Sequence, residues 1–151
     1  MLNRENSAPQ GREGDRMDEA SFRKAFTELR PLGAGAQGTV QLVAHNKTSS
    51  KYVLKQIPLS DRAASSDAAA LLEVDVLSRL AHPNITQMYG AWRNGRAINI
   101  LMEYADGGTL ADVLKAREHK GALLDEEVVL EWFVQIVGAL RSMHASSILH
   151  R

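Results

Sequence analysis

Three glycines lie close together in the stretch LGAGAQGTV, Leu32 to Val40. At Gly33, Gly35 and Gly38 the backbone amides are open to a ligand that a Cβ atom would keep away, and the usual ligand of such a turn is a phosphate group. Glycine-rich turns also occur in ordinary β-hairpins. The spacing alone therefore leaves two alternatives, a nucleotide site and a purely structural hairpin.

The residues that follow the glycines exclude two common nucleotide-binding folds. A dinucleotide-binding fold places its glycines between a strand and a helix, but Gly38 is followed by TVQLVAH, which alternates apolar and polar residues like a strand. A Walker loop has Lys and then Ser or Thr directly after the last glycine, and no lysine stands there. What remains is a glycine-rich hairpin that lies over a ligand and needs a cation from elsewhere in the chain.

Lys55 is the candidate cation. Strand alternation in YVLKQI places it on one face with the apolar residues Val53 and Ile57. Most lysines simply extend to solvent, so Lys55 needs a partner to have another role. Glu73 projects from the apolar stripe of the next helical segment, where an unpaired carboxylate is costly. We therefore predict an ion pair between Lys55 and Glu73.

The elements that must position these residues begin with a set of short β-like runs: FTELRPL, TVQLVAH, KYVLKQI, QMYGAW and AINILMEY. The turn signals HNKTSSK and Asn94-Gly95 connect neighbouring runs as hairpins, which predicts an antiparallel meander. Pro31 has no amide hydrogen to donate, so the first strand is predicted to lie at the edge of the sheet.

Three helices complete the predicted order β-β-β-α-β-β-α-α, which is an α+β arrangement. The segment SSDAAALLEVDVLSRLAHPN predicts one helix with Ser66 or Asp67 as its N-cap. Thr109 is the predicted N-cap of a short helix, LADVLKARE. Asp125 is the predicted N-cap of a long helix that runs to about Ala145.

The long helix is apolar around most of its circumference. Its polar or small positions form one narrow stripe: Glu127, Glu131, Gln135, Gly138 and Ser142. This pattern is typical of a helix that is buried on nearly all sides. We expect several of its large apolar side chains to be exposed in these 151 residues, because the preceding elements do not suffice to cover them.

Composition excludes several classes of function. The 151 residues contain 18 basic and 18 acidic side chains, so no net charge favours a nucleic-acid or membrane partner. The chain has no cysteine and no apolar run long enough to cross a bilayer. Residues 1–21 are polar and are predicted to be a disordered leader. No metal site is predicted, since the histidines lack ligand spacing: His45, His82, His119, His144 and His150.

Several motifs, in order along the chain, resemble those of protein kinases: GAGAQGTV, VLK, the helical Glu73, HPNI, MEYADGG and ILHR. The resemblance is strongest to the NIMA-related (Nek) serine/threonine kinases and covers residues 26–151. It implies a kinase N-terminal lobe with hinge at 22–105, made of a five-stranded antiparallel sheet and one helix. Residues 106–151 are then the start of the C-terminal lobe, with its first two helices.

The resemblance implies ATP as the ligand, bound together with Mg, whose ligands in this family follow later in the domain. It gives Lys55, held by Glu73, the role of contacting the α and β phosphates. It also implies that a run of backbone covers the phosphates: Leu32, Gly33, Ala34, Gly35, Ala36, Gln37 and Gly38. Gln37 stands where kinases usually have an aromatic ring, so we expect a lid that closes less tightly.

The same resemblance assigns the surroundings of the adenine ring. Val40 and Val53, on neighbouring strands, are expected to cover it. Met102 corresponds to the gatekeeper at the back of the pocket, and the backbone of Glu103 and Ala105 to the hinge that bonds the adenine edge.

The function implied is ATP-dependent phosphorylation of protein Ser or Thr, in the cytoplasm, with cytoskeleton and nucleus as alternatives. In kinases the sequence His-Arg, here His150-Arg151, precedes the catalytic Asp, the metal-binding Asn and the DFG Asp. None of these three is among the 151 residues, so we expect the chain as given to be an inactive fragment. Two alternatives stay open: a catalytically inactive nucleotide-binding or protein-interaction module, and a partial gene product without a role of its own.

Overall fold

The computed structural model describes residues 17–35, 38–59 and 64–150. Its strands form one five-stranded antiparallel sheet in the order β1-β2-β3-β5-β4. The strands are β1 Phe26–Gly35, β2 Gly38–His45, β3 Lys51–Pro58, β4 Met88–Asn94 and β5 Ala97–Glu103. The helices are α1 Glu19–Ala25, α2 Ala64–Arg79, α3 Leu110–His119 and α4 Glu126–Ala145.

The sheet agrees with the sequence pattern. β1, which contains Pro31, is an edge strand, and its register shifts on either side of that residue. β4 and β5 are joined at Asn94 and Gly95, and Gly95 has the positive φ of 55° that such a tight turn requires. Both predictions are therefore confirmed.

Helix α1 is not predicted by the sequence pattern. The Asp18 side chain caps it by accepting a hydrogen bond from the Ser21 amide at 2.7 Å. Phe22, which is 4% exposed, fixes it to the sheet by stacking on Phe26 with ring centroids 5.1 Å apart. The predicted leader thus overlaps a helix from Glu19 onwards, and its first 16 residues lie outside the described part of the chain.

Helix α2 covers the other face of the sheet. It begins at Ala64, ahead of both Ser66 and Asp67, so the predicted N-cap is wrong although the helix itself is confirmed. Because cross-strand partners share a face, the two sides of the sheet carry separate apolar clusters. On the α1 side the buried cluster is Phe22, Phe26, Val43, Tyr52, Leu54, Trp92 and Leu101. On the α2 side it is Ile57, Ala70, Ile98 and Ile100.

The chain divides into two compact units. The first contains the sheet with α1 and α2, and the second contains 80–86 together with the residues from Ala105 onwards. Within the second unit, α3 starts at a complete capping box in which Thr109 and Asp112 bond each other's backbone amides, as the predicted N-cap requires. Asp125 occupies the predicted N-cap position of α4, although its side chain makes no capping bond.

The packed side of α4 differs from what its polarity indicates. Gln135 accepts a hydrogen bond from Asn84 at 3.0 Å, and a Cβ atom at Gly138 would lie 3.7 Å from the His82 ring. The part of the polar stripe at Gln135 and Gly138 therefore packs against 80–86, whereas Glu127 and Glu131 are exposed. Large apolar side chains point outwards instead, as expected, among them Phe133 at 62% exposure.

In the described part of the chain, no helix has the length and apolarity needed to cross a bilayer.

Candidate functional site

The glycine-rich turn connects β1 and β2 within the first unit. Gly35 and Gly38 are partners in the ladder, and the residues between them, Ala36 and Gln37, lie outside the described residues. The roles predicted for Ala36 and Gln37 therefore stay predictions. The two β1 residues beside the glycines are exposed: Leu32 and Ala34.

The described glycines differ in why the site has them. Gly38 has a φ of 115°, and a Cβ there would lie 2.0 Å from the carbonyl oxygen of Gln56, so the fold itself excludes any other residue. At Gly33 and Gly35 an added Cβ would meet no described heavy atom within 4 Å. The fold described does not need glycine at these two positions, which leaves space for a ligand close to the backbone.

The predicted ion pair between Lys55 and Glu73 is present. Lys55 lies on the α2 side of β3, and its Nζ is 2.7 Å from Oε1 of Glu73 in the middle of α2. The side chains are 18% and 36% exposed, so the pair is partly shielded and still accessible from solvent. A lysine ammonium has three N–H donors, and one bond to Glu73 leaves donors for the oxygens of an anionic ligand.

An apolar patch adjoins Lys55 on the same face of the sheet. Val40 is the cross-strand partner of Lys55, and Val53 is the partner of Met102. All three apolar side chains are half-buried, and Met102 packs at the margin of the cluster beneath α2. The patch is suited to the flat apolar surface of a heterocyclic base, while Lys55 supplies the charge for an anionic group.

The end of β5 restricts how the predicted hinge bonds a ligand. The Glu103 amide donates to the Gln87 carbonyl at 2.8 Å, and the Glu103 carboxylate accepts from the Gln87 amide at 3.1 Å. Because its N–H is engaged, a backbone contact from Glu103 to a ligand must use its carbonyl oxygen. Ala105 is exposed and begins the second unit.

Two further residues belong to the surroundings of the site and are missed by the sequence reasoning. The backbone of Gln56 lies close to Gly38, and the side-chain amide of Gln56 donates to the buried Asn99 at 3.1 Å. The sequence signal for Gln56 is weak: a polar residue follows the apolar Tyr52 and Leu54 on the same face of β3.

Within 17–35, 38–59 and 64–150, no group of three or more acidic or histidine side chains is placed to hold a metal ion.

The amino-acid sequence matches that of a known protein family. The family model of the protein kinase domain matches residues 26–151. Serine/threonine-protein kinase Nek4 of Mus musculus is 41% identical over 84% of this chain, and Nek8 of Danio rerio is 40% identical over 83%. Nek1 of Mus musculus is 36% identical over 83%. The chain spans only 16%, 18% and 10% of these three relatives, respectively.

Proposed function

Because the chain belongs to the protein kinase family, we propose that its first unit binds ATP and that the whole protein transfers phosphate to Ser or Thr of a protein substrate. The observation that carries the proposal is the 2.7 Å pair of Lys55 and Glu73 on the sheet face next to the glycine-rich hairpin. Such an accessible pair contributes little to folding, so its placement beside an open hairpin favours a ligand-binding role.

In this proposal Lys55 binds the α and β phosphates, and Glu73 fixes the ammonium in place. Bonding to Glu73 limits the positions that the flexible lysine side chain occupies, so less entropy is lost when a phosphate binds. ATP supplies the phosphoryl group that is transferred. The open positions at Gly33 and Gly35 let backbone amides approach the phosphates without a Cβ between them.

The base is proposed to lie on the apolar patch of Val40, Val53 and Met102. Its polar edge is proposed to bond the Glu103 carbonyl. The role predicted for the backbone of Ala105, which begins the second unit, stays a prediction. The described residues offer no cluster for magnesium, so we assign no metal ligand among them. The cytoplasm as the place of action belongs to the proposal as well, with the cytoskeleton and the nucleus as alternatives.

The first test measures binding to the 151-residue chain, by titration with a fluorescent trinitrophenyl-ATP and competition with ATP. Lys55→Met is expected to weaken ATP binding about tenfold or more, because phosphate oxygens lose a charged donor. Lys47→Met is the matched control, since Lys47 is an exposed lysine in the β2–β3 turn of the same unit. Equal affinities for the wild type and Lys55→Met would overturn the proposed site.

The second test separates binding from transfer, using labelled ATP and casein with the 151 residues and with the full-length protein. We expect the 151 residues alone to bind without transfer, because the family's catalytic Asp is not among them. Full-length protein is expected to label casein in a Lys55-dependent way. Nucleotide binding without labelling by the full-length protein would instead identify an inactive nucleotide-binding module.

A further inference from the structure

Helix α1 carries a carboxylate that is bonded into the sheet. Oε2 of Glu19 accepts hydrogen bonds from Nε1 of Trp92 at 3.1 Å and from Nδ2 of Asn99 at 3.2 Å. Its other oxygen pairs with the exposed Arg23 one turn later, at 2.6 Å. Glu19 therefore contacts groups that are 73 and 80 residues away in sequence, and one of them, Asn99, is only 1% exposed.

Asn99 passes this connection on to β3 and β2. Its Oδ1 accepts from Nε2 of Gln56 at 3.1 Å, and the Gln56 amide oxygen lies 3.5 Å from the hydroxyl of Thr39, at the outer limit of a hydrogen bond. Gln56 is the direct cross-strand partner of both Thr39 and Asn99. The polar side chains thus form one row across three strands, on the sheet face that α1 covers.

This polar row lies on the face of the sheet opposite to the nucleotide site proposed above. Gln56 follows Lys55 in β3, and its carbonyl oxygen is the atom that a side chain at Gly38 would strike. Thr39 follows Gly38 at the start of β2. The row thus joins the strand that carries Lys55 to the strand that closes the glycine hairpin.

We propose that Glu19 is a positioning residue, which through Asn99 and Gln56 holds the β2–β3 segment that supports Gly38 and carries Lys55. The inference rests on the proposed nucleotide site for its functional consequence. A buried amide that loses its acceptor must reorient or recruit water, and Asn99 and Gln56 are bonded to each other, so a change at Glu19 reaches the hairpin.

The test compares four variants by amide hydrogen exchange of the nucleotide-free 151-residue chain. Glu19→Ala removes the acceptor, whereas Glu19→Gln keeps a carbonyl oxygen for Trp92 and Asn99. Arg23→Gln is the matched control on α1, because it removes only the exposed ion pair. Gln56→Met breaks the row while leaving Glu19 on Asn99, and it decides the question if Glu19→Ala does not fold.

We expect Glu19→Ala and Gln56→Met to accelerate exchange at residues 38–41 and 55–57 about tenfold, with helix α3 unchanged as the internal reference. Glu19→Gln and Arg23→Gln should stay within about twofold of the wild type. Affinity for trinitrophenyl-ATP should fall about fivefold in the two accelerated variants only.

Faster exchange confined to α1 in Glu19→Ala, with an unchanged hairpin in both Glu19→Ala and Gln56→Met, would show that Glu19 only fastens its own helix and would overturn the inference. An unchanged nucleotide affinity despite faster hairpin exchange would overturn the positioning role. Absence of nucleotide binding by the wild type would overturn the proposed function, and hairpin exchange would still decide whether the coupling exists.

Discussion

Lys55 and Glu73 come from different elements and meet through a single hydrogen-bonded ion pair of 2.7 Å. Asp75, the other carboxylate near Glu73 on the same helix, pairs with Arg79 at 2.7 Å and not with Lys55. This selectivity makes the pair suitable for a double-mutant cycle.

In the cycle, Lys55→Met and Glu73→Gln are each expected to weaken ATP binding about tenfold, with the double variant no weaker than Lys55→Met alone. The reason is that Glu73 acts on the nucleotide only by holding the ammonium. Asp75→Asn is the control and should leave affinity unchanged. Additive losses, measured by calorimetric titration, would mean that the two side chains contribute separately.

The glycines of the hairpin should divide into two kinds when each is replaced by alanine. Gly38→Ala is expected to destabilise the chain by about 2 kcal/mol or more, because the new methyl group would strike the backbone of Gln56. Gly33→Ala and Gly35→Ala should change stability by about 0.5 kcal/mol or less and weaken ATP binding. Thermal unfolding and nucleotide titration of all three variants test this. Equal losses of stability in all three would contradict the prediction.

Acid should act on the contact between α1 and the sheet. The hydrogen bond from Trp92, together with the bond and charge of Arg23, lowers the pKa of Glu19 below its ordinary value of 4.5. A pKa that is lower in the folded state gives stability that is present above about pH 4.5 and is lost as the pH falls through the folded value.

The difference in Tm between the wild type and Glu19→Gln is therefore expected to be largest near neutral pH and to shrink towards pH 3. Asp18 and Asp112 also have a lowered pKa, through hydrogen bonds from Ser21 and Thr109 respectively, but both are present in either protein and cancel in the difference. A constant difference across the range would contradict a stabilising ionised Glu19.

The outer face of α4 should make the 151-residue chain associate and bind a hydrophobic dye. Phe133 and Val134 are 62% and 67% exposed, and several large apolar neighbours are exposed with them. Phe133→Gln with Val134→Lys should reduce dye binding and association at little cost in Tm. Met143→Gln, on the packed side at 9% exposure, should instead lower Tm, because an amide is buried there without a partner.

Size-exclusion chromatography and dye fluorescence measure both effects. If the wild type runs as a monomer that binds no dye, the exposed apolar face does not drive association.

The predictable parts of the structure are those with a short-range signal. Alternation in β3 and the apolar stripe of α2 suffice to bring Lys55 to Glu73, and Pro31 suffices to place β1 at an edge. Thr109 is recognisable because the acidic partner of its capping box stands three residues later. Each of these conclusions uses residues within one or two elements.

What the sequence does not predict depends on distant contacts. Helix α1 has seven residues and one buried side chain, Phe22, so its own periodicity is too weak to indicate a helix. The role of Glu19 as a hydrogen-bond acceptor becomes visible only when the fold brings Trp92 and Asn99 beside it. Similarly, Gln135 looks like a solvent-facing position until Asn84 is found across from it.

The position of α1 also bears on where this folded unit begins. The family match starts at Phe26, yet the ring of Phe26 stacks on Phe22, and Trp92 and Asn99 bond to Glu19. A polypeptide started at the family boundary would leave aromatic surface uncovered and a buried amide without its carboxylate. The family match therefore starts one helix after packed structure is already present, and Met17, just before α1, packs against the same aromatic cluster.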